Sequence, residues 1–354
     1  MAASAPEDRP HRPRLSLRRR VAFGAFTCAA LLSGFELALS LANFNYASTP
    51  RAMKQHAVDG YIALQNRVDE LQAFEPHPRR MWTPKPGVGE VNARGLLGPE
   101  VPLARQPGKR RVLFLGDSCV QSSELHFPPK VAALARRDGV ELEVVIAASG
   151  GYSTWQGLDL FREVLAYAPD AVVAYYGWND HWISAQPDHV FVPPGAWAAR
   201  ARDALSWSRT YQLLQRVVHP PPTPQLPRDL DRLVELTRVP PAHYRANLLA
   251  MIALARDLGA SAHFVVAPLG PHIAERERTL LGPGTNVPPV HARYQAVLRE
   301  TAQGEGVHLI DFADVTFDRT LMFEDGVHPN DRGHDLVAAR VYASLNAAGV
   351  FAQR

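Results

Sequence analysis

The stretch RRVLFLGDSCVQSSE, residues 110–124, decides how the rest of the chain is read. Its apolar run from Val112 to Leu115 stops abruptly at Gly116-Asp117-Ser118. Four apolar residues ended by a glycine predict a buried strand running into a tight turn, which lifts Ser118 to the carboxyl edge of a sheet. A serine there is placed either to act as a nucleophile or, with Asp117, to cap the helix that follows. Cys119 is adjacent, and neighbouring residues at a strand end point in different directions, so only one of the pair can face a site. The thiol is expected to be a small packed side chain.

Outward from this stretch, short apolar runs alternate with amphipathic patterns, as in an α/β domain. Strands are expected at 112–115, 142–147, 171–175, 262–267 and 307–310. Helices are expected at 129–137, 155–166, 244–258, 291–302 and 331–347. Strands so uniformly apolar predict a five-stranded parallel sheet covered on both faces. The rhythm breaks over 181–241, an insertion rich in Trp and Pro with PPPTP at 220–224. So long an excursion after a strand end is either a lid or binding feature or a surface elaboration.

Upstream, residues 1–20 form a basic tail with six arginines against Glu7 and Asp8, a local charge of +4 within a chain total of +3. The remainder is therefore close to −1, which leaves no electrostatic footprint for nucleic acid. Val21–Ala42 then carries Glu36 as its sole charge. At about 1.5 Å per residue it is long enough for a hydrocarbon core of about 30 Å, and Glu36 is a cost relieved by lying off centre. A transmembrane anchor is expected over 21–44. The arginines ahead of it place the N-terminus in the cytoplasm and the remaining chain on the far, periplasmic side. The apolar run exceeds the usual signal-peptide length, so an uncleaved signal-anchor is expected despite the small-residue site at 40–42. Residues 45–109 read as a membrane-proximal extension, with a short helix near 58–74 and a Pro-rich link after it, leading into a domain over 110–354. With only Cys28 and Cys119 in the chain, neither a structural disulfide nor a cysteine metal site is implied.

Ligands of a doubly wound sheet collect at the carboxyl ends of its strands. The residues there are Ser118, then Gly150-Gly151, then Gly177-Trp178-Asn179-Asp180, and Asp325-Gly326-Val327-His328 before the last helix. These types suit acyl transfer. His328 has a suitable pKa range to take the proton of a serine hydroxyl, and Asp325 can hold its imidazole in the required tautomer. The amides of Ser118 and Gly151 and the carboxamide of Asn179 can face an oxyanion. Each feature taken singly is also ordinary turn chemistry.

LFLGDS, SGGYSTWQG, YYGWND and DGVHPNDRGH resemble, in order and spacing, the four blocks of the SGNH hydrolases, the GDSL esterase and lipase superfamily. The leader NARGLLGPE at 92–100 resembles that of membrane-anchored bacterial members. The resemblance covers about 90–348. It implies a three-layer α/β/α sandwich of flavodoxin-like character, with Ser118 as nucleophile, His328 as base, Asp325 as orienting acid, and Gly151 and Asn179 completing the oxyanion hole. Two departures stand out: Cys119 follows the serine where many members carry a bulkier or hydroxyl residue, and 147–149 lacks the asparagine often found before the second-block glycine. The expected activity is a serine ester hydrolase that removes O-acyl groups, acetyl among them, from an extracytoplasmic carbohydrate or related ester, with no metal or organic cofactor. Three other readings stay open: a lysophospholipase or lipid esterase, an O-acyltransferase to polysaccharide, and a catalytically silent carbohydrate-binding component. Trp178, Trp182 and Trp207 would either wall a lipid site or pack in the core.

Overall fold

The computed structural model describes residues 16–44, 74–121, 123, 125–184, 187–190, 197, 201, 204–205, 207–218, 227–273 and 287–352. The helix expected near 58–74 lies outside the described residues, apart from Phe74. An N-terminal helix, α1 (Leu17–Leu41), is followed by a hairpin of β1 (Phe74–His77) and β2 (Met81–Pro84) and then by β3 (Arg110–Gly116). Next come α2 (Phe127–Arg137), β4 (Leu142–Ala148), α3 (Thr154–Glu163) and β5 (Ala171–Tyr176). The insertion contributes α4 (Arg209–Val218) and α5 (Leu230–Val234), and the domain ends with α6 (Pro241–Asp257), β6 (Ser261–Val266), α7 (Val287–Glu305), β7 (His308–Ile310) and α8 (Asp331–Ala347).

β3 to β7 form one parallel sheet in the order β4-β3-β5-β6-β7. All five strands coincide with the expected runs: the centres of β3 and β5 are wholly apolar, and β4, β6 and β7 are apolar runs that each admit one polar residue, Glu143, His263 and His308. Val112, Leu113, Phe114 and Leu115 are wholly inaccessible to solvent. Helices α2 and α8 pair in one layer, while α3, α6 and α7 pack together in another. The register pairs Gly116 with both Ala148 and Tyr175, so β3, β4 and β5 end level with one another. The segments after them, carrying Ser118, Gly151 and Asn179, therefore emerge at one edge.

Two features depart from expectation. Phe74 begins the β1–β2 hairpin where a helix end and a Pro-rich link were expected. That hairpin packs onto the α/β body: Trp82 Nε1 donates to Gly150 O at 3.2 Å, Tyr152 Oη donates to Trp82 O at 2.8 Å, and Arg80 pairs with Asp159 at 3.0 Å and Glu163 at 2.6 Å. Second, Glu36 of α1 has polar partners: it accepts from Arg209 N at 2.6 Å, Thr210 N at 2.9 Å and Ser208 Oγ at 3.0 Å. Helix α1 is long and apolar enough to span a membrane and is solvent-exposed along its apolar length.

Candidate active site

The turn after β3 is built around Asp117 and Gly116. A Cβ on Gly116 would lie 2.2 Å from Val120 Cγ2, so only glycine lets the chain fold back so closely. Asp117, fully buried, accepts from Cys119 N at 2.9 Å through one oxygen and from Asn179 Nδ2 at 2.9 Å through the other. Burial pushes its carboxyl up to about 6, opposed by the Cys119 amide, the nearby His328 and the Asn179 carboxamide. Ser118, half-buried at the turn, directs Oγ to His328 Nε2 at 2.8 Å. His328 Nδ1 lies 2.8 Å from Asp325 Oδ2, while Asp325 Oδ1 accepts from the amides of Val327 and His328 at 2.8 and 2.9 Å. Burial raises the Asp325 pKa most, yet the hydrogen bonds and charge of His328 and the Val327 amide outweigh it, and the carboxyl is lowered overall. An ionised Asp325 accepts the Nδ1–H and leaves Nε2 with a lone pair facing the serine hydroxyl. Ser118 and His328, 210 positions apart, thus meet as expected.

Cys119 turns the other way. Its Sγ faces Val327 O at 3.9 Å in the core, and burial, with the adjacent Asp117 charge adding to it, holds the thiol well above its ordinary pKa. Gly151, at φ +77, carries its loop through a conformation that side-chain-bearing residues rarely adopt. Among the described residues, neither the Ser118 nor the Gly151 amide donates to another backbone group. Because a carboxylate only accepts, the contact with Asp117 fixes the Asn179 amide with its nitrogen inward, and Nδ2 keeps a second hydrogen to offer. A cavity of about 420 Å³ lined by Glu90, Val91 and Asn92 contains none of these groups. The arrangement is an ordered proton path from a hydroxyl to a carboxylate-held imidazole, beside donors at the same sheet edge.

A family model, the GDSL-like Lipase/Acylhydrolase family, matches residues 114–336, well over half of the chain. The chain belongs to that family. Membership makes this GDSL-type protein an ester-hydrolysing enzyme. No curated protein matches it in sequence. Among solved structures it is similar to the esterase EstA from Pseudoalteromonas sp. (14% identity, 68% of this chain and 98% of that one, TM-score 0.42). It is similar also to the lipase/acylhydrolase from Enterococcus faecalis (17%, 68% and 96%, 0.43) and to Axe2, an acetylxylan esterase from Geobacillus stearothermophilus (17%, 67% and 95%, 0.42).

The GDSL domain also holds its site through contacts that the sequence did not reveal. Arg238, from the insertion and wholly buried, donates to Gly151 O at 2.7 Å, to Gln156 Oε1 at 2.6 Å and to both oxygens of the equally buried Asp188 at 3.1 and 2.9 Å. Ser153 Oγ completes the cluster with Asp188 Oδ2 at 2.6 Å. Asp180 accepts from Thr154 N at 2.9 Å and Gly177 N at 3.2 Å, tying the third block to the second. In these residues the insertion reaches under the loop that carries Gly151. Of the three tryptophans considered for an apolar wall, Trp178 is core, stacked on His291 with ring centroids 4.2 Å apart, and Trp182 lies against the Arg238 guanidinium. Trp207 alone is strongly exposed.

Proposed function

We propose that this GDSL-family enzyme is a membrane-anchored serine esterase that removes O-acyl groups, acetyl foremost, from a carbohydrate or related ester outside the cytoplasm. The observation that carries the reading is the continuous relay from Ser118 Oγ to His328 Nε2 and from His328 Nδ1 to Asp325 Oδ2, 2.8 Å at each step. Ser118 Oγ attacks the acyl carbon as its proton passes to His328 Nε2. The resulting oxyanion is met by the Ser118 and Gly151 amides and the free Asn179 Nδ2–H. His328 then protonates the departing alkoxide, and water, deprotonated by the same imidazole, releases the acyl group from Ser118.

Hydrolysis is favoured over transfer because about a third of the His328 side chain and a quarter of that of Asp325 are open to solvent, so water has direct access to the acyl-enzyme. A carbohydrate ester is favoured over a lipid because Trp178 is buried against His291 and the half-buried Trp182 is engaged by the Arg238 guanidinium rather than lining an acyl channel. The extracytoplasmic location rests on the arginine-rich tail ahead of α1. A fluorophosphonate probe tests the chemistry: it should label the protein stoichiometrically at Ser118 and leave Ser118→Ala unmodified. Acetate release from O-acetylated glycans then tests the substrate. Unlabelled wild-type protein would return the silent-binder reading.

A further inference from the structure

The sequence around α4 reads W-S-R-T-Y-Q-L-L-Q-R-V-V from Trp207 to Val218. Trp207, Tyr211, Leu214 and Val218 recur at intervals of four, three and four, the spacing that puts side chains on one helix face. The outer part of this face is bare: Trp207 is 75% exposed, Leu214 55% and Val218 57%, with Val217 beside them at 70%. Gln212, on another side of the helix, is buried. A short helix that buries a glutamine and exposes a leucine and two valines, entered from an exposed tryptophan two residues before its start, is inverted relative to a helix packed on a soluble core.

The place of this helix in the molecule says what covers it. Its first turn is fixed to α1 through Glu36, whose carboxylate takes the amides of Arg209 and Thr210 and the hydroxyl of Ser208. Arg209 also donates to Phe44 O, just past the end of α1. Glu36 lies five residues before Leu41, the last residue of α1, or about 8 Å along a helix axis. That distance spans roughly the outer edge of the hydrocarbon core and the headgroup layer above it. We propose that α4 is an interfacial helix, with Trp207, Leu214, Val217 and Val218 inserted in the leaflet that surrounds the outer end of α1. The inference rests on the proposed uncleaved anchor. It also accounts for Glu36, since the start of α4 supplies the donors that a carboxylate near the membrane lacks. Tryptophan and aliphatic residues facing lipid beside a span are the composition of membrane-interface segments.

The test is spin-label accessibility in the full-length protein reconstituted in phosphatidylcholine vesicles, comparing collisions with oxygen, which partitions into lipid, and with a water-soluble nickel chelate. Cys28 is exposed on α1 and Cys119 is buried, so labelling the wild-type chain reports on the span itself. In a Cys28→Ser background, Leu214→Cys and Val218→Cys probe α4, and Ala133→Cys on the exposed side of α2 gives the aqueous reference. The expected result is an oxygen-to-nickel ratio at 214 and 218 severalfold above that at 133 and approaching that at Cys28. Aqueous ratios at 214 and 218 with a lipid-like ratio at Cys28 would overturn the proposal while leaving the anchor intact. Dipolar broadening between copies at 214 or 218 would overturn it in favour of a protein–protein contact. An aqueous ratio at Cys28 would remove the anchor and the proposal together.

Discussion

Replacing Arg238 with methionine keeps much of the side chain's volume while removing its charge and all of its donors. The guanidinium and the Asp188 carboxylate are both fully shielded from solvent, so the substitution strands a buried carboxylate and leaves Gly151 O and Gln156 Oε1 short of a strong donor. Breaking a buried pair from one side costs about 3–5 kcal/mol, and the lost hydrogen bonds belong to the same network rather than adding in full. For a domain of this size, that corresponds to a fall in Tm of about 6–20 °C. Tryptophan emission in detergent follows it well, since Trp82 and Trp182 both lie against Arg238, with the guanidinium 5.4 and 5.6 Å from their rings. The partner experiment is the double variant Arg238→Met with Asp188→Leu, which removes both charges and should regain most of the lost stability. At a permissive temperature the single variant should also lower kcat, by up to about 10² if the Gly151 donor is lost entirely, with KM little changed. An Arg238→Met protein within about 1 kcal/mol of wild type, or a double variant no more stable than the single one, would refute the assignment of this pair as the prop beneath the Gly151 loop.

Ser118→Ala and His328→Ala should each abolish hydrolysis of a short-chain aryl ester, and the double variant should be no worse than either, because nucleophile and base act as a unit. Asn179→Ala should lower kcat by about 10²–10³ with little change in KM, and Asp325→Asn should fall between that and the loss of the nucleophile. Cys119→Ala should leave the kinetics unchanged, since the thiol faces Val327 O inside the core. Acid should destabilise the fold through buried histidines. Burial, aided by neighbouring His308, lowers His263 from its ordinary 6.5 to about 3, so its contribution is present above pH 6.5 and is lost as pH falls toward 3. By linkage this amounts to about 2 kcal/mol between pH 7 and pH 5. Urea unfolding at the two pH values should show His263→Gln losing about 2 kcal/mol less than wild type, and equal losses would count against the assignment.

What could be read from the sequence follows from how locally each feature is encoded. The five strands of the sheet were legible because each is a short, predominantly apolar run, broken at most once by a polar residue such as Glu143, His263 or His308, and the polar residues at their carboxyl ends inherited their positions from the sheet. The β1–β2 hairpin was not. Its strands, FEPH and MWTP, are four residues long, each contains a proline, and neither alternates cleanly. Arg111, at the start of β3, and Arg238 were hidden for another reason: a charged side chain reads as solvated unless its partners are known, and those partners are carbonyls and side chains that only the folded chain brings together. Arg111 is buried against Glu143 and the carbonyls of Pro102, Leu103 and Tyr167, while Arg238 meets residues 50 to 87 positions away. Asp117 lies within the decisive stretch, but its hold on Asn179 needs the register of β3 and β5 to become visible. The amphipathic spacing of α4 was present in the sequence and was obscured by the prolines around it.

The 210 positions that separate His328 from Ser118 have a consequence in time. All five strands of the sheet are parallel, so no neighbouring pair can close through a tight hairpin, and folding has to wait for distant segments. At about 5–20 residues per second, the ribosome reaches His328 about 10–40 s after Ser118. The imidazole is held by a turn that leads directly into α8, which must then dock beside α2. Throughout that interval Ser118 lacks the imidazole that meets its hydroxyl in the finished fold. On the proposed mechanism, hydrolytic competence arrives with the last helix, and the appearance of activity during synthesis or refolding is expected to report the completion of the whole domain.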